Sequence, residues 1–578
     1  MKSSIGVVFS LAISIRAAAI VSFPNPPGYT TRTYNAHAPS SAAKSTDQYS
    51  NDALVSLWSR VGPIAPPKNT AVASPTPEPS SLSAFPQPDP AFHPLVASHE
   101  TGLKDVKLPQ NFAWGVASSA YQIEGAAKED GKGPSIWDML SHQVPGFVAD
   151  NSTGDVLAEH YYLFKQDIAR LKALGFKAFS PSISWPRIFP FGNGPVNAPG
   201  VAHYDAVITA LVDVGISPAV TLFHWDTPLA LFHEYGGWSN EKIVDDFVHY
   251  AKFIITRYDK YVPIWFTINE PQYCNWQYAG YPAEILNPKT GKKGEKGGIK
   301  ARFACGHYTL LAHARVAKWY HEEFKGQGRI TFKNSGNYYE PASTAAADLR
   351  SAQRNYDFSI GWFSGPWTDG DYPESLKSTL DDVLPKYTEE EKRIIKGSCD
   401  FYAIDAYTSY TAFGSSNDEA CMKDPKNGAF PECAGSRQAG NDGFPMGPAG
   451  DTGVDWMKTT PGGIRRYLRK LKEMWPSIPD IVVTEFGFAE PFENLMKTKG
   501  EILWDLRRAD YYQGFLDNIL ASIHYDKVNV TGAWGWAIFD NFEWNAGLST
   551  RFGLQYVNYT DLTRTPKASM FQFLNWFQ

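Results

Sequence analysis

Eight apolar, β-rich runs recur along the chain, separated by segments with helical periodicity, and this alternation constrains the fold more than any other feature. The runs are Phe112–Ser118, Ala178–Ser184, Ser217–Trp225, Val262–Glu270, Arg329–Tyr338, Asp400–Thr408, Asp480–Gly487 and Thr531–Asp540. Between them lie helix-like stretches such as Leu163–Leu174, Tyr204–Val214, Glu241–Tyr258 and Tyr308–Phe324. Strands that are apolar on both faces and alternate with helices indicate a parallel sheet covered on both sides. Eight such units over roughly 470 residues predict an α/β fold, a (β/α)8 TIM barrel with long loop insertions. An open, doubly wound sheet is the runner-up. A nucleotide-binding version would carry a Gly-rich phosphate loop after the first strand, and none is present.

The barrel is assigned to residues 106–578 and is preceded by two segments of different texture. Residues 1–19 read as a secretory signal peptide: Lys2 is the charged start, Ile5 to Ile15 the apolar core, and Ala17-Ala18-Ala19 the small-residue cleavage region. That run is too short to span a bilayer, and no later one is long enough, so no membrane partner and a secreted, extracellular location are expected. Sequons at Asn151, Asn529 and Asn558 fit a glycoprotein of that compartment. Residues 20–105 are rich in Pro, Ser, Ala and Thr, with segments such as Ser74-Pro75-Thr76-Pro77-Glu78-Pro79 that lack any period. They read as a disordered linker.

Net charge is −6, with no basic footprint for nucleic acid. The five cysteines permit a Cys421–Cys433 pair and a Cys274–Cys305 pair, leaving Cys399 free, although spacing alone does not fix connectivity. No CxxC or HExxH pattern supports a metal site, and no cofactor is expected.

Active-site groups of such a barrel sit at the C-terminal ends of the strands. His224-Trp225-Asp226 closes the third run, Asn269-Glu270 the fourth and Glu485 the seventh, while Glu543-Trp544 follows the eighth. Singly, each has an ordinary reading as a strand-end charge, a satisfied core histidine or a core aromatic. Together they form a sugar-compatible set. Glu270 and Glu485, about 215 residues apart, are the two carboxylates that glycosidic bond cleavage needs. An aromatic content of 14%, with 18 Trp and 30 Tyr, supplies flat surfaces on which sugar rings pack.

These residues carry a family resemblance. From about residue 108 to the end the chain resembles glycoside hydrolase family 1, the β-glucosidase family. The resemblance runs in order through Phe112-Ala113-Trp114-Gly115, Tyr121-Gln122-Ile123-Glu124-Gly125-Ala126 and Ser182-Ile183-Ser184-Trp185-Pro186-Arg187-Ile188. It continues through Thr221 to Pro228, Thr267-Ile268-Asn269-Glu270-Pro271 and Asp540-Asn541-Phe542-Glu543-Trp544. It implies a retaining β-glycosidase acting on β-glucosides, with Glu270 as general acid/base and Glu485 as nucleophile. It further implies that Gln122, His224, Asn269, Glu543 and Trp544 bind sugar hydroxyls, that Trp536 is a stacking platform, and that Tyr407 hydrogen-bonds Glu485. Glu270 stands where thioglucoside-cleaving plant relatives have Gln, and Asn545 to Gly553 lacks the Ser, Lys and Tyr set of phospho-glycosidases. An unphosphorylated O-glucoside is therefore the expected substrate.

The chain departs from the family pattern around Glu485. Ser180 replaces an Arg that normally donates to the nucleophile, Phe486 replaces the Asn that follows it, and the sixth run reads Asp405-Ala406-Tyr407. Loss of a cation beside a carboxylate raises its pKa, and an ionised Asp405 would raise it further. The departures lead to the expectation of a re-tuned or weakened enzyme, with transglycosylation or a non-catalytic sugar-binding barrel as alternative readings. Arg187 is expected to be structural.

Overall fold

The computed structural model describes residues 21, 23–38, 45–89, 91, 101–276, 298–415 and 417–577. The expected signal peptide lies outside the described residues.

Eight strands close into a barrel: β1 (Ala113–Ala117), β2 (Ala178–Ser180), β3 (Ser217–Phe223), β4 (Ile264–Asn269), β5 (Arg329–Ser335), β6 (Tyr402–Asp405), β7 (Ile481–Phe486) and β8 (Val530–Trp536). Each pairs in parallel with its neighbours in chain order, and β8 returns to β1. Seven fall within the runs read from sequence and β8 begins one residue before its run, and the doubly wound alternative is excluded by closure. β2 is cut short because Pro181 has no N–H to offer the ladder. Its carbonyl still accepts from Thr221 N at 3.0 Å, so the chain stays beside β3.

The barrel interior is filled by Ala219, Phe266, Phe401, Ala403, Val482 and Trp534, a packed layer rather than a pore. The main core lies between strands and outer helices. The helix Lys242–Tyr258 shows why these helices form: Ile243, Phe247, Tyr250, Ile254 and Tyr258 recur at three- and four-residue spacing and are buried. The two disulfides are Cys274–Cys305 and Cys421–Cys433, and Cys399 is free and buried.

The described part of residues 20–105 is not a free linker, which corrects the reading from composition. Thr31–Arg32 pairs in parallel with Val196–Asn197, and Asn51–Val61 is a helix capped by Ser50 Oγ. Leu54, Trp58 and Val61, at i, i+4 and i+7, are buried against the barrel. Trp58 Nε1 donates to the Lys132 carbonyl at 2.8 Å, and Asn69 N donates to the Glu159 carboxylate at 2.9 Å. Such a segment cannot bury enough of its own surface, but the barrel supplies the missing partners, and composition does not register a partner 70 to 90 residues away.

Among the described residues no helix is long and apolar enough to cross a membrane.

Candidate active site

The two glutamates of the sequence pattern meet at the C-terminal rim. Glu270 follows β4 directly and has φ +43°, a left-handed conformation disfavoured for a residue with a Cβ. Its N–H donates to the Lys333 carbonyl at 2.9 Å and its carbonyl accepts from Tyr273 N at 2.9 Å, so both neighbours hold the turn. Glu485 reaches the same space through a bulge in β7. Val483 pairs with Ile404 and Glu485 with Asp405, two steps on β7 against one on β6. Val482 belongs to the barrel interior, and strict alternation from it would turn Glu485 outward. The bulge turns Glu485 inward, and carboxyl oxygens of Glu270, Asp405 and Glu485 all lie within 4.8 Å of one another.

Three buried carboxyls at this spacing need compensation, and β5 provides it. Lys333 Nζ lies 3.1 Å from Glu485 Oε1, with both side chains almost fully buried. Tyr407 donates its hydroxyl to Glu485 Oε2 at 3.1 Å, as the family resemblance implies. The expectation that Glu485 had lost its cation is therefore corrected: Ser180 is indeed buried at the end of β2, but the positive charge enters from β5. Arg187 does not substitute. It is tied to Glu124 Oε2 at 3.1 Å and stacks on Tyr161.

The electrostatics separate the acids. Burial, then Asp405, then Glu485 push Glu270 well above the usual carboxylate range. Burial and then Glu485 do the same to Asp405. Burial also raises Glu485; Lys333 and then Tyr407 oppose it, and the net shift stays upward. Glu270 is raised the more strongly, so Glu485 is the first of the two to ionise and Glu270 the one to keep a proton.

A cavity of about 460 Å³ opens above these groups. His224, Asn269, Tyr407, Trp536, Glu543 and Trp544 line it with the two glutamates, so the structure brings together every residue assigned from sequence except Gln122. His224 Nδ1, Asn269 Oδ1 and Glu543 Oε2 are buried without a hydrogen-bond partner among the described residues, and unpaired buried polar atoms lining a cavity are suited to a polar ligand. His224 is held neutral, burial and then Lys333 lowering its pKa well below the usual value. Burial and then Glu485 push Glu543 up to about 8. The strand ends brace each other: Trp225 Nε1 donates to the Asn269 carbonyl at 3.0 Å, and Asn269 Nδ2 meets His224 Nε2 at 3.2 Å.

Gln122 is buried and is not among the residues lining the cavity. Its Oε1 accepts from Ser119 Oγ at 2.6 Å and its Nε2 donates to the Phe542 carbonyl at 2.7 Å, while Phe542 N donates back to the Gln122 carbonyl at 3.1 Å. In this structure it clamps the loop that carries Glu543.

Sequence reasoning missed Lys333. The available signal was a lysine inside the apolar run Ile330-Thr331-Phe332-Lys333, in phase with the buried Thr331, because a lysine is almost never fully buried without a partner. It also passed over Trp456 and Tyr410, which line the cavity, Trp456 being 37% exposed against 4% for Trp536.

Comparison with known proteins agrees with this geometry. The glycosyl hydrolase family 1 profile matches residues 104–578. β-Glucosidase 24 of Oryza sativa subsp. japonica is 37% identical over 476 residues, covering 80% of this chain and 92% of that protein. The crystal structure of a rice β-glucosidase aligns with a TM-score of 0.75 at 35% identity, over 82% of this chain and 98% of that one. A β-glucosidase from the fungus Humicola insolens, solved in complex with glucose, aligns with a TM-score of 0.74 at 36% identity, over 82% and 98% of the two chains.

Proposed function

The chain belongs to glycosyl hydrolase family 1, and from that premise we propose that its cavity hydrolyses terminal, non-reducing β-D-glucosyl residues of short β-glucosides or aryl glucosides with retention of configuration. The observation that carries this reading is the approach of the Glu270 and Glu485 carboxyl oxygens to within 4.8 Å. Retaining enzymes hold their carboxyls about 5–5.5 Å apart, whereas inverting enzymes leave about 6.5–9.5 Å for a water.

In the first step a Glu485 oxygen attacks the anomeric carbon as its bond to the leaving oxygen breaks, and Glu270 transfers its proton to that oxygen. The aglycone leaves as an alcohol, and the glucosyl unit is held as an ester on Glu485. Glu270, now a carboxylate, takes a proton from water as the water oxygen attacks the anomeric carbon. The ester bond breaks, glucose leaves, and both glutamates return to their starting states. Lys333 and Tyr407 hold Glu485 as an oriented anion for the first step. Asn269, with an unpaired Oδ1, lies beside the glutamates to bind the sugar. The non-catalytic reading was motivated by a missing cation, and Lys333 removes that motive.

Incubation with a 2-deoxy-2-fluoro-glucoside bearing a good leaving group, followed by peptide mass spectrometry, tests the proposal. The expected result is a covalent adduct on Glu485. Binding without an adduct would favour a sugar-binding barrel.

We also propose that the protein is a secreted, extracellular glycoprotein. The signal-like start and the sequons support this, Asn151 and Asn529 being exposed. N-terminal sequencing of the mature protein and a mass shift on deglycosylation are the checks.

A further inference from the structure

Three largely buried carboxyls, from β6, β7 and the end of β4, meet beside one ammonium, which pairs with Glu485. Among the described residues Lys333 is the only lysine or arginine that pairs with any of them. It lies on β5 with its ammonium 5.0 Å from the centre of the Phe266 ring, so its stem packs on the barrel core and its head is aimed at Glu485. Ser180, at the end of β2, is buried with Oγ unpaired and carries no charge.

Asp405 is the unexplained third acid. Its Oδ1 accepts from Thr484 Oγ1 at 2.6 Å, and its Oδ2 has no donor among the described residues. Its other neighbour is the Glu270 carboxyl, the two coming within 4.8 Å oxygen to oxygen. Two largely buried carboxyls this close favour one proton held between them, because like charges at this range repel strongly.

We propose that Lys333 and Asp405 are positioning residues for the two reacting carboxyls: Lys333 keeps Glu485 ionised and oriented, and Asp405 shares one proton with Glu270, retaining it there until the leaving oxygen takes it. This rests on the retaining glycosidase reading and deepens it. The charge is conserved at each step. In the resting state Glu270 and Asp405 hold one proton and one negative charge between them; when that proton goes to the leaving oxygen both are carboxylates, while Glu485 gives up its charge to the ester and leaves the Lys333 ammonium to balance the pair.

Every element around Glu270 enters the balance. Lys333 and Ser335 face it from β5, Asp405 from β6, Tyr407 from just beyond β6 and Glu485 from β7. Glu543, in the loop after β8, feels Glu485, and His224, after β3, feels Lys333. With Glu485 neutralised by Lys333, Asp405 is the nearest group able to stabilise the proton of Glu270. The burial-driven rise in the pKa of both acids agrees with a shared proton.

The test is the pH dependence of kcat/KM on an aryl β-glucoside for the wild type and for Asp405→Asn, Lys333→Met and Lys333→Arg. Loss of Asp405 should move the basic limb, which reports Glu270, to lower pH by at least about one unit and leave the acid limb in place. Lys333→Met should move the acid limb, which reports Glu485, to higher pH and lower kcat at least about 100-fold, with Lys333→Arg restoring the limb. A basic limb in Asp405→Asn that superimposes on the wild type overturns the shared proton, and an unmoved acid limb in Lys333→Met overturns the cation assignment. Asp405→Ala reads the same basic limb if the asparagine variant folds poorly. A wild type that neither turns over β-glucoside nor forms the fluoroglucosyl adduct would remove the underlying reading instead, so the two failures are distinguishable.

Discussion

Glu485 on β7 stands opposite Asp405 on β6 only because β7 gains a residue between Val483 and Glu485. The bulge turns Thr484 and Glu485 so that one hydroxyl holds Asp405 at 2.6 Å while the next side chain takes the ammonium of Lys333. Thr484→Val keeps the shape and removes the hydroxyl, leaving a buried acceptor unpaired at a cost of about 1–3 kcal/mol. Chemical denaturation should register that loss, and kcat should fall with KM little changed, since Thr484 does not line the cavity.

Replacing the acid separates the two chemical steps. Glu270→Gln should slow glucosides with poor leaving groups by about 10²–10⁴-fold, because the departing oxygen then lacks its proton donor. Dinitrophenyl glucosides need little protonation and should still form the intermediate rapidly. Stopped-flow measurement should show a burst followed by slow hydrolysis, and an equal loss on both substrate classes would contradict the assignment.

At the mouth of the cavity Trp456 stands edge-on to Tyr407, ring centres 5.7 Å apart, and remains 37% exposed. An aromatic surface at that position is suited to packing against an aglycone. Trp456→Ala should raise KM for aryl glucosides about fivefold, equivalent to about 1 kcal/mol, with kcat nearly unchanged. Steady-state kinetics on aryl and methyl β-glucosides provide the comparison, the methyl glucoside being little affected.

The N-terminal segment should contribute to stability. Trp58 is buried, bonded to the Lys132 carbonyl and beneath the Lys132 ammonium, 5.4 Å from the ring centre. Trp58→Ala should cost about 3–5 kcal/mol. Differential scanning fluorimetry and limited proteolysis of residues 45–89 are the readouts, and an unaltered Tm would mean the segment is not part of the folded unit.

Acid sensitivity should trace to the link between the antiparallel pair Gln555–Val557 and Arg564–Pro566 and the helix His160–Ala173. Arg564 Nε meets Asp167 Oδ1 at 2.9 Å, and His160 Nδ1 meets Oδ2 at 2.8 Å. Burial pushes the Asp167 carboxyl up, but Arg564 and then His160 outweigh it, and the net shift is downward. A depressed carboxyl adds stability that is complete above its unfolded value of about 3.9 and is lost as pH falls through its lower folded value. Arg564→Met removes the cation, so acid unfolding monitored by circular dichroism should begin at a higher pH. At neutral pH the stranded carboxylate should cost about 3–5 kcal/mol.

The eight strands were legible because each is a local pattern: an apolar run, a turn and an amphipathic stretch. Glu270, Glu485, His224, Asn269 and Glu543 were legible for a related reason, since groups at or just beyond the ends of such runs collect at one rim once the barrel closes. The helix Asn51–Val61 was not, because its three buried side chains are sparse within a polar, proline-rich stretch and their partners lie on the barrel. Gln122 was read as a sugar ligand from its place in a motif, and only the packed loop shows its amide engaged by Ser119 and Phe542.

By itself, then, the amino-acid order determined the barrel, the identity of the two carboxylates and the strand ends that carry them, because these depend on periodicity and position along the chain. The tertiary structure alone decided which cation serves Glu485 and which acid shares the proton of Glu270. Lys333 and Glu485 are 152 residues apart, and a shift of one residue in the β7 register would turn Glu485 away from Lys333. Such contacts are properties of register and closure, and no local stretch of sequence contains them.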